Sequence, residues 1–466
     1  MNPIPEAFLE QMSVLLGEKD SKVFLSALSA ASPVSVRVNS EKNGQAEGDN
    51  VPWCPLGVYL KERPSFTFDP LFHAGTYYVQ EASSMFLSHV LRKVISNNPS
   101  SPITALDLCA APGGKSTLTL STLPQDSLLI ANEVVKQRAN ILTENLIKWG
   151  NPNIIVTNNY AEDFQALGPI FDLIICDVPC SGEGMFRKDS QSILEWSPQN
   201  VDVCWKRQRN IIQQIWPCLK PGGILIYSTC TYNTLENEEN IRWIQQETNA
   251  ELLDCEPDVN WGITGNLLKR ENFPCYHFFP HRTKGEGFFL AALRKADDDS
   301  NIAHSAKQKK QKHTKQKYTI PAEIKGWILH SEQFDFIFDE KKQLFYAFPK
   351  SYFHILELAK SSLNVLHGGI HLATIKGKNS LQPLPSLALS NYLNINSFCQ
   401  CELSYEQAIS YLRTESLTLT SDIPNGYVIV TYKNHPLGFV KNLGSRANNL
   451  YPTEWRIRKQ LDSAQI

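Results

Sequence analysis

Thr104-Ala-Leu-Asp-Leu-Cys-Ala-Ala-Pro-Gly-Gly-Lys-Ser-Thr117 decides how the chain folds. Its first six residues are an apolar run of strand length, and the paired glycines after it let the backbone turn tightly into a helix. A strand joined by a Gly turn to a helix is the repeating unit of an α/β sheet, and the free N–H groups at the helix start suit a polar ligand. The same alternation continues to about Leu293. Leu128–Glu133, Asn153–Thr157, Phe171–Asp177 and Gly223–Thr229 read as further buried parallel strands, with helices over Val135–Trp149 and Val201–Leu219 and a late edge strand at Phe288–Leu293. The pattern predicts a doubly wound α/β sheet whose ligands sit outside the carboxyl ends of the strands.

The turn itself, Cys109, Ala110, Ala111, Pro112, Gly113, Gly114 and Lys115, is the candidate ligand loop. Gly-Gly-Lys-Ser-Thr suggests a nucleoside-triphosphate loop, but a P-loop needs Gly five residues before its second Gly, and that position is Cys109. The dinucleotide pattern G-x-G-x-x-G is absent as well. Glu133 ends the second strand, where an acid accepts hydrogen bonds from ribose hydroxyls, and Asp177 ends the fourth. A Gly turn flanked by two such acids suits a nucleoside cofactor without pyrophosphate, S-adenosylmethionine above all.

Two cysteines reach the same edge. Cys180 stands in Asp177-Val-Pro-Cys-Ser-Gly-Glu-Gly184 and Cys230 in Tyr227-Ser-Thr-Cys-Thr-Tyr232, each just after a strand. Paired thiols beside a cofactor loop point to covalent chemistry, although free cysteine is also among the most buried residue types.

The chain is 466 residues long, 42% hydrophobic and 20% charged, which fits a globular protein of two to four domains. No apolar stretch nears the ~20 residues that span a bilayer. Met1-Asn-Pro-Ile-Pro-Glu-Ala-Phe8 lacks the basic and apolar regions of a signal peptide, so a cytoplasmic protein without a membrane partner is expected. Eleven cysteines with no C-x-x-C, and the ill-spaced Cys399 and Cys401, predict neither a disulfide framework nor a metal site. A net charge of −2 excludes a globally basic nucleic-acid binder. A local basic surface is still open to it: Lys307 to Lys317 holds six lysines in eleven residues and reads first as a solvated linker. The first 98 residues mix an amphipathic helix (Pro5–Leu16), a strand (Val34–Asn39), a polar loop (Ser40–Asn50) and a helix from near Gln80 to about Val94. Past the lysine run, short segments such as Tyr427–Tyr432 and Gly438–Lys441 predict a separate, mostly β region of one or two modules.

Leu108–Lys115, Asp177–Gly184 and Ser228–Tyr232 together resemble the Sun/NSUN family of RNA cytosine-C5 methyltransferases. Pro179-Cys180 is similar to its fourth motif and Thr229-Cys230 to its sixth; Val36-Arg-Val-Asn39 and Tyr78-Val-Gln-Glu-Ala-Ser-Ser84 resemble its N-terminal segments. Gly438–Lys441 with Asn449–Trp455 resembles the PUA-like tail of the bacterial RsmF branch, which methylates a cytosine in the decoding region of 16S rRNA. The likeness implies a Rossmann-like class I methyltransferase sheet over 99–296, preceded by a small α+β RNA-binding region (1–98). After it would come a charged linker (297–317), a C-terminal extension (318–390) and a mostly β, PUA-like RNA-binding module (391–466). There is one departure. The family commonly carries Asp in the turn after the third strand, where this chain has Tyr160, leaving Asn159 or Asp163 to make the third cofactor contact.

The resemblance also implies a chemistry. Carbon 5 of cytosine is a poor nucleophile until a thiolate adds to carbon 6, which divides one hard step into easier ones. Cys230 is the implied nucleophile. Cys180 would help the C5 proton leave, as the base or by positioning it; Asp177 would meet the base edge, the cofactor or both; Lys188 would contact base or phosphate. The target must be flipped out or unpaired, and rRNA or the small ribosomal subunit is the implied partner of a monomeric enzyme. Two rivals stand. A DNA cytosine-C5 methyltransferase would make Cys180 the nucleophile, but it leaves Thr229-Cys230 unexplained and its usual Glu-Asn-Val is absent here. A catalytically silent rRNA-binding assembly factor would keep the fold without the reaction.

Overall fold

The computed structural model describes residues 3–95, 101–269, 271–297, 319–377 and 380–459, so the lysine run at 307–317 lies outside the described residues. The N-terminal region comprises α1 (Glu6–Leu16), α2 (Glu18–Leu28), β1 (Val34–Val38), β2 (Asp49–Val51), β3 (Cys54–Leu60), α3 (Pro70–Ala74), β4 (Tyr77–Val79) and α4 (Phe86–Ile95). Its four strands form one sheet in the order β2-β3-β1-β4. The helix read from Gln80 starts later because the Glu81 carboxylate accepts from the Ser83 and Ser84 N–H groups, which holds 80–82 as a turn.

The central domain runs β5 (Thr104–Asp107), α5 (Gly114–Thr122), β6 (Leu128–Asn132), α6 (Lys136–Trp149), β7 (Ile154–Thr157), β8 (Phe171–Asp177), α7 (Ser190–Glu195), α8 (Pro198–Ile215), β9 (Leu219–Thr229), α9 (Glu238–Thr248), β10 (Glu251–Leu253), β11 (Tyr276–Phe278) and β12 (Phe288–Arg294). Strands β7-β6-β5-β8-β9 are parallel neighbours, and β12 closes that end antiparallel to β9. Strand order reverses beside β5, so the crevice where a doubly wound sheet binds its ligand opens over the Gly-Gly turn. β5, β6 and β7 are buried along their whole length, as expected for parallel strands covered by helices on both faces. β9 starts four residues earlier than Gly223 because Pro221-Gly222-Gly223 bulges and the ladder with β8 shifts register there.

The C-terminal part holds α10 (Ala322–Gly326), β13 (Phe334–Asp339), β14 (Leu344–Pro349), α11 (Phe353–Ser362), β15 (Val365–Gly368), β16 (Ile370–Lys376), β17 (Ser380–Pro383), β18 (Cys399–Glu402), β19 (Gly426–Tyr432), β20 (His435–Asn442) and β21 (Ala447–Asn449). β13-β14-β16-β17 and β18-β19-β20-β21 form two sheets, matching the expected mostly β character. They share a core in which Ile429 and Phe439 pack with Phe345 and Leu372. β15 departs from the expectation of a separate region: it leaves these sheets and pairs antiparallel with β7, extending the central sheet.

Arg37 ties the N-terminal region to the central domain. It is fully buried, donates to Gln80 Oε1 (2.9 Å) and Thr117 Oγ1 (2.6 Å), and lies 4.4 Å over the Trp149 ring. Burial pushes its guanidinium down to about 10. Asn39 completes the seam by donating to the carbonyls of Gly75 and Trp149. Arg37→Ala should lower stability by about 3 kcal/mol, since it leaves buried acceptors unpaired and opens a cavity beside Trp149; urea denaturation of the full chain measures this.

Candidate active site

The thiols meet. Cys180 Sγ and Cys230 Sγ lie 3.2 Å apart, and the Cys230 N–H also points at Cys180 Sγ (3.4 Å). Strands β8 and β9 are parallel neighbours with Asp177 opposite Ser228, so the residues just beyond their ends must emerge side by side. Both cysteines keep partial access to solvent. The Cys180 thiol is raised well above its ordinary value, by its contact with Cys230 and then by burial.

Two buried carboxylates hold the cysteine loops. Glu183 accepts from the N–H groups of Tyr232 (2.7 Å) and Asn233 (3.0 Å), and from the Asn233 amide, Trp196 Nε1 and Gln11 Nε2. Glu236 accepts from the Ser181 N–H (3.0 Å), the Asn233 amide (2.8 Å) and Gln208 Nε2 (2.7 Å). Gln208 also donates to the Pro179 carbonyl. Burial raises Glu236, against the lowering effect of Ser181 and Asn233. The loops touch again where Gly184 N–H donates to the Cys230 carbonyl (2.8 Å); a Cβ at Gly184 would meet that oxygen at 2.8 Å, so only glycine fits. Glu183 lies within the quoted Pro-Cys-Ser-Gly-Glu-Gly stretch and was legible as a motif residue. Glu236, Asn233 and Gln208 carried no signal of their own.

Asp177 sits between the thiols and the Gly-Gly turn. Its Oδ2 pairs with Lys115 Nζ at 2.8 Å and its Oδ1 accepts from Ser228 Oγ at 2.8 Å. Burial works against charge on Lys115, but Asp177 outweighs it and the ammonium is raised overall. Lys115, expected in the cofactor loop, thus reaches across to the thiol side. In the turn, Gly113 adopts φ +114°, where side chains are strained, and a Cβ there would press on Leu142. Ala110 N–H donates to the Asn132 carbonyl, while Arg138 and Asn145 donate to the carbonyls of Ala111 and Pro112. Cys109 is half-buried in this turn and its thiol is raised, by desolvation first.

Glu133 ends up at the mouth beside the turn, its Oε2 3.3 Å from Arg138 and its Oε1 capping the Val135 N–H. Of the three candidates after β7, Asp163 folds inward to accept from the Tyr160 N–H and the Asn159 amide, while the Tyr160 side chain is 68% exposed. Asn159 is held on all sides, as described below. Lys188 lies 3.8 Å from the buried Glu286, which also pairs with Arg187 at 2.8 Å. Asp107, not singled out in the sequence, ends β5 beneath the turn; Ser116 donates to its Oδ2 (2.6 Å), and Oδ1 has no partner among the described residues. A groove of about 700 Å³ lined by His89, Arg92 and Trp261 shares no residue with this site.

Residues 94–294 match the family described as 16S rRNA methyltransferase RsmB/F; residues 4–82 match the N-terminal domain of 16S rRNA methyltransferase RsmF, and 400–457 match the RsmF PUA domain. The ribosomal RNA small subunit methyltransferase F of Cronobacter sakazakii is 32% identical over 97% of this chain and 96% of its own length. That of Escherichia coli O127:H6 is 30% identical with the same coverage. Among solved structures, a methyltransferase homolog from Pyrococcus horikoshii is similar with a TM-score of 0.53 and 27% identity, covering 62% of this chain and 95% of that one. NSun6 from the same organism, solved with SFG, gives 0.53 at 20% identity over 63% of this chain and 99% of its own, a likeness of fold. With the paired thiols, the Gly-Gly turn and this full-length likeness in hand, the chain belongs to the ribosomal RNA small subunit methyltransferase F family.

Proposed function

We propose that this protein transfers a methyl group from S-adenosylmethionine to carbon 5 of a cytosine in 16S rRNA, in the decoding region by likeness to the RsmF branch. The observation that carries the reading is the 3.2 Å approach of Cys180 and Cys230 beside the Gly-Gly turn.

The cleft fits this cofactor chemically. Asp107, Glu133 and Asp177 place three carboxylates along one edge, one of them with an unpaired buried oxygen, which suits a ligand bearing ribose hydroxyls, an ammonium and a sulfonium. Gly113 leaves its backbone open to close approach. Residues 109–115 and Glu133 would hold the nucleoside and amino-acid parts, with Asp177 shared between cofactor and base. When bound, this cofactor supplies an electrophilic methyl group.

Cys230 adds as thiolate to carbon 6 of the flipped cytosine, forming an S–C6 bond and placing the displaced electron pair on carbon 5. The Cys180 sulfur lies 3.2 Å from the attacking one. After methylation the C5 proton passes to Cys180, which must first have given its own proton to solvent, or to a base that Cys180 positions; the C5–C6 double bond re-forms as the S–C6 bond breaks, returning the Cys230 thiolate. Lys115, paired with Asp177 at 2.8 Å, holds that carboxylate in place at the base edge. Lys188 and Arg187, which share the Glu286 carboxylate, shape the adjacent wall. The N-terminal region and the PUA-like tail would hold RNA around the site through backbone and shape contacts.

Covalent trapping tests the assignment. Incubated with small-subunit rRNA and S-adenosylmethionine, Cys180→Ala should accumulate a denaturant-stable protein–RNA adduct and Cys230→Ala should form none. The reverse pattern would make Cys180 the nucleophile, and no adduct together with no cofactor binding would leave a silent RNA-binding factor.

Asp107 generates a second expectation. Burial, and after it the charges of Asp177 and Glu133, raise its carboxyl to about 7, opposed by the Ser116 hydrogen bond. The native state therefore keeps a proton that the unfolded chain, titrating near 3.8, has already lost. Stability from this group is full below that lower value and falls as pH rises toward 7. Compared with Asp107→Asn by urea denaturation without cofactor, the wild type should lose ground steadily between pH 4 and 7; parallel profiles would refute the shift.

A further inference from the structure

The turn after β7 is fastened from outside the central domain by one residue, Asn364. Its N–H donates to the Asn159 side-chain oxygen (2.9 Å), and its carbonyl accepts from the Asn158 N–H (3.1 Å). Both clasped asparagines reach onward to the cleft. The Asn158 amide donates to the carbonyls of Glu133 (2.7 Å) and Val134 (2.9 Å), the backbone directly behind the acid at the mouth. The Asn159 main chain is locked to the buried Asn132, which accepts from its N–H and donates to its carbonyl, and which donates as well to the Leu108 carbonyl at the start of the Gly-Gly turn. β15 then zips onto β7 from Val365 to Gly368, so the clasp is anchored along a strand.

We infer that Asn364, acting through Asn158 and Asn159, is a positioning residue for the cofactor cleft, so that affinity for S-adenosylmethionine depends on a segment some 70 residues beyond the last strand of the central fold (364 against Arg294). The inference rests on the cofactor reading above. It also accounts for the departure at Tyr160. Asp163 is spent on the turn's own N–H and amide groups, and Asn159 is spent on Asn364 and Asp163. The turn thus contributes through the position of its backbone, and that position is set by the clasp. Mechanically the clasp is economical because it adds two hydrogen bonds to an edge strand that would otherwise end in solvent.

The test uses the full-length protein and three variants. Asn159→Ala removes the acceptor. Asn364→Pro removes the donor N–H, and the preceding Leu363 already has the extended backbone (φ −122°, ψ 157°) that a following proline requires. Asn364→Ala keeps both main-chain groups and serves as control. Calorimetric titration with S-adenosylmethionine should show affinity reduced about threefold to tenfold for the first two, the range of one net hydrogen bond, and unchanged for the control. The double variant should be no weaker than either single one, because both cut the same contact. KM for the cofactor should rise with kcat at saturation unchanged, and the Glu133–Val135 amides should exchange faster in the ligand-free protein. If the wild type binds and all three variants bind alike, or if kcat and melting temperature fall while affinity holds, the inference is overturned. If the wild type itself binds no S-adenosylmethionine, the cofactor reading falls and takes the inference with it.

Discussion

A carboxylate removed from water has to be saturated with donors, and two such groups organise this molecule. Glu183 and Glu236 are wholly buried. An unpaired ionised carboxylate in that setting would cost more than the ~5–15 kcal/mol by which a domain is stable. The sequence around each cannot supply enough donors, so they come from elsewhere: Tyr232 and Asn233 for Glu183, Ser181 and Gln208 for Glu236. The carboxylate after Cys180 is thus satisfied by the loop after Cys230, and the carboxylate after Cys230 by the loop after Cys180. Neither loop can relax without stranding a charge in the other. The thiol separation follows from that reciprocity.

The same accounting distributes charge along the open edge. Lys115 retains its proton because Asp177 outweighs desolvation; Asp107, deeper and facing like charges, gains one. Arg187, Lys188 and Glu286 form a third group in which one nearly inaccessible acid is shared between two cations, leaving a net positive charge. Asp107 Oδ1 stays without a partner among the described residues.

Local pattern carried much of this. Phe171–Asp177 reads as a strand and is one, because a seven-residue stretch with five apolar residues between a Gly-Pro turn and a polar loop has few other outcomes. The Gly-Gly turn and both cysteines were legible because strand ends in a parallel sheet have one destination. What escaped reading is what depends on distant partners. Val365-Leu-His-Gly368 is not read from the sequence as a strand of the central sheet, and its pairing with β7 makes it one. Glu236 and Gln208 are ordinary surface residues by type and become structural through neighbours 28 to 55 positions away. Tyr160 stood out as a mismatch, but the resolution of that mismatch lies in Asn364, 205 residues from Asn159.

The cleft is assembled from contacts that span the chain: Gln11 to Glu183, Tyr59 to Lys284, Asn159 to Asn364. A ribosome releases the N-terminus first, at about 5–20 residues per second. Between the synthesis of Cys230 and that of Asn364 lie 134 residues (364 less 230), roughly 7 to 27 seconds of elongation at that rate. Both thiols therefore exist on the nascent chain well before the clasp that steadies the far side of the cleft. An enzyme of ribosomal RNA is itself made on ribosomes, and the order of its own synthesis leaves the cleft unbraced until Asn364 has been added.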